Sequence, residues 1–247
     1  MQAMVFAAGL GTRLKPLTDT MPKALVPVCG KPLLYHVLNR LRDAGYDDIV
    51  VNVHHFAGQI RDYLEENDFG VRIRVSDESD MLRETGGGIL FARRFLERPD
   101  CGPFLVHNVD IVSNLDLAWF RGQWQPGALA TLLVSERRTQ RYLLFDDDMR
   151  LVGWTNIATG EVRSPYPNLD PEKYRKFAFA GIHNISPSVF GVFDSCHCPE
   201  RFPIMDFYLQ VCDSHPIYGA VAPNLTLVDV GKIETLAEAE RICETLL

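Results

Sequence analysis

An apolar run from Met4 to Ala8 empties straight into Gly9-Leu10-Gly11-Thr12-Arg13, with Pro22-Lys23 a short loop later. A strand that ends in glycines brings its backbone close to something else, and backbone N–H groups reach anionic oxygens only where no Cβ intervenes. From Gly9 to Lys31 the cations Arg13, Lys15, Lys23 and Lys31 outnumber the one anion, Asp19, in a chain whose net charge is −7. Local positive charge on an acidic chain fits one anionic ligand, such as a polyphosphate, and argues against a nucleic-acid surface.

Two common phosphate loops do not fit. The dinucleotide fingerprint G-x-G-x-x-G fails because Leu14 stands where its last glycine would be, and no G-K-[ST] follows at the spacing of a P-loop.

Helical and strand signals alternate through the first half, which predicts a parallel sheet wrapped by helices. After the Met4–Ala8 strand, Leu33, Leu34, Val37, Leu38 and Leu41 recur at helical spacing before Gly45. Ile49–Val53 reads as a strand, Ile60, Tyr63 and Leu64 as a helix, Val71–Val75 as a strand and Gly86–Leu96 as a helix. Phe104–Val106 is a further strand, leading to Asn108-Val109-Asp110. The second half is richer in strands: Ala130–Val134, Tyr142–Phe145, Leu151–Trp154 and Phe177–Ile185, with a surface excursion from Pro165 to Pro171. Helical signals around Phe207–Val211 precede a strand at Leu225–Val230 and a last helix with Ile233, Leu236, Ala237 and Ile242 on its inner face.

With 247 residues, 47% of them hydrophobic, the chain can bury a sizeable core. No apolar stretch approaches the roughly 18 residues of a membrane span. The opening run lacks a basic flank and reads as a first strand, not a signal peptide, so no membrane partner and a cytoplasmic location are expected. The six cysteines are scattered and expected to be reduced. Cys196-His197-Cys198 has no second ligand pair at zinc spacing.

Gly9-x-Gly11-Thr12-Arg13, followed by Pro16-Leu17-Thr18, Pro22-Lys23 and Pro27-Val28-x-Gly30-Lys31-Pro32, closely resembles the signature of the sugar-1-phosphate nucleotidyltransferases. That resemblance implies an α/β fold, a Rossmann-like, mostly parallel sheet flanked by helices of the GT-A-like kind, with a smaller mixed β lobe for the sugar. It implies one domain over residues 1–247, nucleotide-binding up to about 125 and sugar-phosphate-binding beyond about 126, with no β-helix or acyltransferase extension. The substrates implied are a nucleoside triphosphate and a sugar 1-phosphate. The roles carried over are nucleotide binding by Ala8, Gly9, Gly11, Thr12, Arg13, Lys23, Thr85, Gly86, Gly87 and Asn108, with Arg13 and Lys23 also catalytic. Mg²⁺ would be held by Asp110 and Asp229, each expected at the carboxyl end of a strand of the same sheet. Gly181, in Phe179-Ala180-Gly181-Ile182-His183, and Asp206 fall on the sugar-phosphate side.

Glu84-Thr85-Gly86-Gly87-Gly88-Ile89 resembles the base-binding segment of N-acetylmuramate-1-phosphate uridylyltransferases. It points to UTP with N-acetylmuramate 1-phosphate or a similar acceptor, with GTP and mannose 1-phosphate as the alternative and a non-catalytic nucleotide-sugar-binding subunit as a third reading. His183 is either a base or a structural residue, and Asn52, His54 and His55 follow a strand on the nucleotide side. Two departures stand out. Val109 replaces the Gly or Ser usual in relatives, and no Glu-Lys-Pro segment supplies a sugar-phosphate lysine, leaving Arg138, Arg141 or Lys176 to substitute.

Overall fold

The computed structural model describes residues 1–98 and 101–246, with side chains as far as Ile242. β1 (Gln2–Phe6) leads through the glycine loop to a short ribbon, β2 (Pro27–Val28) and β3 (Lys31–Pro32), and then to α1 (Leu33–Asp43). The four leucines and Val37 expected on one face of α1 are all buried. β4 (Asp48–Val53), α2 (Ala57–Glu66), β5 (Arg72–Asp77), α3 (Glu84–Phe91), α4 (Arg93–Leu96) and β6 (Phe104–Asn108) complete this half. β5, β4, β1 and β6 lie side by side and parallel, so their carboxyl ends share one edge of the molecule, the edge where open α/β sheets bind ligands.

Beyond β6 the chain forms β7 (Ile111–Ser113), α5 (Leu117–Gly122), β8 (Ala130–Ser135), β9 (Arg141–Phe145), β10 (Leu151–Asn156) and β11 (Glu161–Arg163). The long β12 (Arg175–Ile185) pairs antiparallel with β9 through its first residues and with β6 through its last, joining the parallel half to the mixed half. α6 (Val189–Ser195), α7 (Ile204–Val211), β13 (Ile217–Val221), β14 (Leu227–Asp229) and α8 (Ile233–Leu246) follow. The main sheet runs β11-β10-β9-β12-β6-β1-β4-β5, with β8 on β12 and β13 on β8. Strand alternation divides the core into two clusters: Ala3, Val5, Ile49 and Val51 join one, Met4 and Val50 the other.

Four expectations need correction. β1 ends at Phe6, which frees Ala7 and Ala8 for the loop. The stretch read as one helix from Gly86 is two, and its three glycines lie inside α3. β14 lies outside the main sheet, in a two-stranded ribbon with β7. α8 packs through Leu236, Ala239 and Ile242, the i, i+3, i+6 positions of one helical stripe, while Ile233 and Ala237 lie off that stripe and face outward. Cys29, Cys101, Cys196, Cys198 and Cys212 are free thiols, and the side chain of Cys243 lies outside the described residues. No described helix is long and apolar enough to cross a membrane.

Candidate active site

β1 and β6 end as neighbours, Phe6 opposite Asn108, and the loops leaving them face a cavity of about 560 Å³. Ala8, Gly9, Gly11, Thr12, Arg13 and Lys23 line it from the first loop, Thr85 from α3, and Asn108 and Asp110 from the end of β6. The loop is fixed at Gly11, whose left-handed φ of 65° suits glycine and whose carbonyl accepts from Leu14 N–H and Thr18 Oγ1, both at 2.8 Å. A Cβ at Gly9 would meet nothing within 4 Å, so the bare backbone there opens onto the cavity.

Asn52, at the end of β4, anchors the start of this loop: its Oδ1 accepts from Ala7 N–H at 2.8 Å, and its Nδ2 donates to Glu78 Oε1 at 2.8 Å. Glu78 is fully buried, and desolvation pushes its carboxyl above the usual range against the pull of Asn52, Arg83 and His54. Nothing in the sequence marked Glu78; an acidic residue just past a strand was the one available signal. His54 bonds the Glu78 carbonyl, and neither it nor His55 lines the cavity.

The acidic pair is brought together by a ribbon and not by the main sheet. β14 runs antiparallel to β7 with Asp229 opposite Ile111, and Val230 N–H donates to the Asp110 carbonyl at 2.8 Å. Lys23, only 9% exposed, is ion-paired with Asp110. Burial and the Asp110 charge raise the Asp229 carboxyl, while Lys23, Arg13 and Arg137 hold it down. A Cβ at Gly231 would lie 2.7 Å from Arg13 Nη2 and 2.8 Å from Asp229 Oδ1, which places the guanidinium beside the acidic pair.

Asp229 Oδ1 is buried without a hydrogen-bond partner. Two carboxylates, one with an orphaned oxygen, form the hard donor set that suits Mg²⁺, which commonly takes one or two carboxylates and completes its shell with water and phosphate. Among the described residues no three His, Cys, Asp or Glu side chains group as ligands, so a cation here would depend on such outside donors.

The glycines of α3 answer to the protein itself. Gly86 and Gly87 donate their N–H groups to the Phe202 carbonyl at 2.8 and 3.1 Å, and neither lines the cavity. A Cβ at Gly86 would sit 2.2 Å from the Phe202 ring, and one at Gly87 2.2 Å from the Glu200 carbonyl oxygen. The close approach expected of a nucleobase is therefore made by the 200–202 segment, and Glu84 and Thr85 are the α3 residues left facing the cavity. Thr85 Oγ1 also accepts from Ile204 N–H at 2.9 Å, tying α3 to the start of α7.

A second cavity of about 350 Å³ lies on the β9–β10–β11 side. Asp206 lines it, ion-paired to Arg163 at 3.0 Å. Gly181, at a bulge of β12 with φ 77°, instead abuts the first site: a Cβ there would be 2.9 Å from Ile111 Cγ1 and 3.0 Å from Asn108 Nδ2. Of the three substitutes named for the absent lysine, Arg141 lines the second cavity, while Lys176 is paired with Glu172 at 2.6 Å. Arg137, Trp154 and Arg163 line it too and were not singled out from the sequence; the ladder that sets Trp154 opposite Arg163 is visible only once the strands pair. His183 is a structural residue, buried, hydrogen-bonded to Tyr208 Oη at 2.9 Å and pushed by desolvation to a pKa of about 3.

The family described as Nucleotidyl transferase matches residues 2–141. An N-acetylmuramate alpha-1-phosphate uridylyltransferase of Caulobacter vibrioides is 48% identical over 113 residues, 44% of this chain and 46% of that protein. A mannose-1-phosphate guanyltransferase of Hypocrea jecorina is 38% identical over 116 residues, 46% of this chain and 31% of that protein. The chain thus spans about half the length or less of these curated relatives. In three dimensions it is similar to HddC from Yersinia pseudotuberculosis, with a TM-score of 0.76 and 21% identity over 98% of this chain and 99% of that one; HddC is also known in complex with GMP-PN.

Proposed function

Since the chain belongs to the nucleotidyl transferase family, we propose that it transfers a nucleotidyl group from a nucleoside triphosphate to a sugar 1-phosphate, giving a nucleotide sugar and pyrophosphate. The observation that carries this reading is the convergence on one cavity of a bare-backbone loop, the cations Arg13 and Lys23 and the Asp110 carboxylate, which acts on a buried Asp229 with an unpartnered oxygen. UTP and N-acetylmuramate 1-phosphate are the favoured substrates, supported by the 48% identity to the Caulobacter protein. GTP with mannose 1-phosphate is the second reading, supported by the Hypocrea relative.

An oxygen of the acceptor phosphate attacks the α-phosphorus, the bond from that phosphorus to the bridging oxygen breaks, and pyrophosphate leaves with the electron pair. A phosphate monoester has a second pKa of about 6, so the nucleophile is largely ionised near neutrality and needs no base. The work left to the protein is positioning and charge stabilisation. The Gly9–Thr12 backbone would cradle the triphosphate, Arg13 would fork across phosphate oxygens, and Lys23 would hold Asp110 in place as well as offer a point charge. Asp110 and Asp229 would hold Mg²⁺, which when bound neutralises phosphate charge as a Lewis acid. Asn108 and Thr85 would meet the nucleoside, and Gly181 would let β12 pass close behind Asn108.

A pyrophosphate-release screen of four nucleoside triphosphates against a panel of sugar 1-phosphates tests this. Turnover with UTP and N-acetylmuramate 1-phosphate is the expected result. Turnover with GTP and mannose 1-phosphate alone would select the second reading, and nucleotide-sugar binding without turnover from any pair would favour a non-catalytic subunit.

A further inference from the structure

The second cavity has an unusual balance of hydrogen-bonding groups. Arg137, Arg141 and Arg163 line it with one carboxylate, Asp206, and that carboxylate is already engaged by Arg163. Arg163 is held further by Trp154, whose ring centroid lies 5.9 Å from the guanidinium carbon. Arg137 donates to the Phe179 carbonyl at 3.0 Å, and its charge is felt at the Asp229 carboxyl, which links its end of this cavity to the acidic pair. The Arg141 guanidinium, at the start of β9, has no hydrogen-bond or ion-pair partner among the described residues.

Guanidinium groups donate and never accept, and an indole only donates. A neutral sugar presents hydroxyls that need acceptors as well as donors, and this cavity has few acceptors to give. A carboxylate accepts only, and its two oxygens match the arginine fork. With the acceptor phosphate directed to the Arg137 end and Arg163 paired with Asp206, Arg141 is the cation left for a second anion on the sugar.

We propose that this cavity selects sugar 1-phosphates that carry a carboxylate on the sugar, with Arg141 as its recognition group. The proposal rests on the transferase reading and narrows its acceptor to an acidic sugar phosphate. Of the acceptors named above, N-acetylmuramate 1-phosphate has such a group in its lactyl ether and mannose 1-phosphate does not.

The test compares kcat/KM for N-acetylmuramate 1-phosphate with that for its lactyl methyl ester, in the unaltered protein, Arg141→Gln and Arg141→Lys. A hydrogen-bonded charge pair of this kind corresponds to a preference on the order of 10-fold or more for the free acid. In Arg141→Gln the acid-to-ester ratio should fall toward one, mainly through KM for the acid, and Arg141→Lys should restore part of it. Equal use of acid and ester by the unaltered protein, or equal slowing of both in Arg141→Gln, overturns the proposal while leaving the transferase reading intact. Absence of turnover with every sugar 1-phosphate overturns the transferase reading, and this inference with it.

Discussion

Lys23 and Asp110 are each largely buried, with side chains 11% and 19% exposed, so truncating Lys23 leaves Asp110 unpaired beside Asp229. Breaking a buried pair from one side typically costs about 3–5 kcal/mol, and the partial exposure here lowers that to roughly 2 kcal/mol. Lys23→Ala is therefore expected to lose thermal stability as well as on the order of 10²–10³ in turnover. Lys23→Ala with Asp110→Asn should recover most of the stability and none of the turnover, as melting curves and pyrophosphate release will show; recovery of both would remove the pair from the mechanism. Asp229 behaves differently, because its carboxyl is buried beside a like charge with one oxygen unpartnered. Asp229→Asn should raise the melting temperature of the metal-free protein at neutral pH while lowering Mg²⁺-dependent turnover. If Asp110 and Asp229 hold one ion, their losses in turnover will be non-additive in the double Asn variant.

At the scale of elements, the glycine-rich loops divide by what approaches them. Gly9 faces open space in the cavity, so Gly9→Ala should fold with unchanged stability and lose turnover, since the only backbone approach left there is that of a ligand. Gly87→Ala would drive a methyl into the Glu200 carbonyl, and overpacking of this kind costs about 1–3 kcal/mol. Its melting temperature should drop whether or not a nucleotide is present; an unchanged melting temperature would show that the 200–202 segment does not hold α3. These two glycines look alike in the sequence, because each sits in a glycine-rich run beside an apolar stretch. The Gly9 loop was legible since Arg13, Thr12 and Lys23 lie within the same short stretch. The partner of Gly87 is a segment more than a hundred residues away, joined through the Phe202 carbonyl, Arg83 to Glu200 and Arg201 to Glu84, and no local pattern encodes such a contact. The β7–β14 ribbon was hidden for the same reason: Leu227–Asp229 has the β-prone residues of a sheet strand, and only tertiary pairing sets it beside β7.

Across the whole molecule, hydrophobic period gave away the parallel half, where β1, β4, β5 and β6 alternate with amphipathic helices, but it could not locate the buried polar residues that the sheet encloses. His107 on β6 and His183 on β12 lie on paired strands, His107 opposite Ile182 and His183 opposite Val106, and both are fully enclosed. Desolvation pushes each to a pKa of about 3, helped at His107 by the Arg40 charge. An unfolded histidine titrates near 6.5, so the unfolded chain takes up protons that the folded chain refuses. Stability from these residues is complete above pH of about 6.5 and is lost as the pH falls from there toward the folded value, at up to about 1.4 kcal/mol per pH unit for each histidine. Glu78 acts with the opposite sign, since burial raises its carboxyl and its ionisation weakens the fold as pH rises. The two are separable by substitution. Between pH 7 and pH 4.5, the denaturant midpoint of His183→Gln should fall less than that of the unaltered protein, and that of Glu78→Gln should fall more. Equal pH dependence in His183→Gln and the unaltered protein would mean that His183 is protonated in the folded state. A folded-state proton on His183 would reopen its reading as a base, and the pH profile of turnover between pH 5.5 and 8 would then shift in the same variant; with the histidine neutral and bonded to Tyr208, that profile is expected to keep its shape.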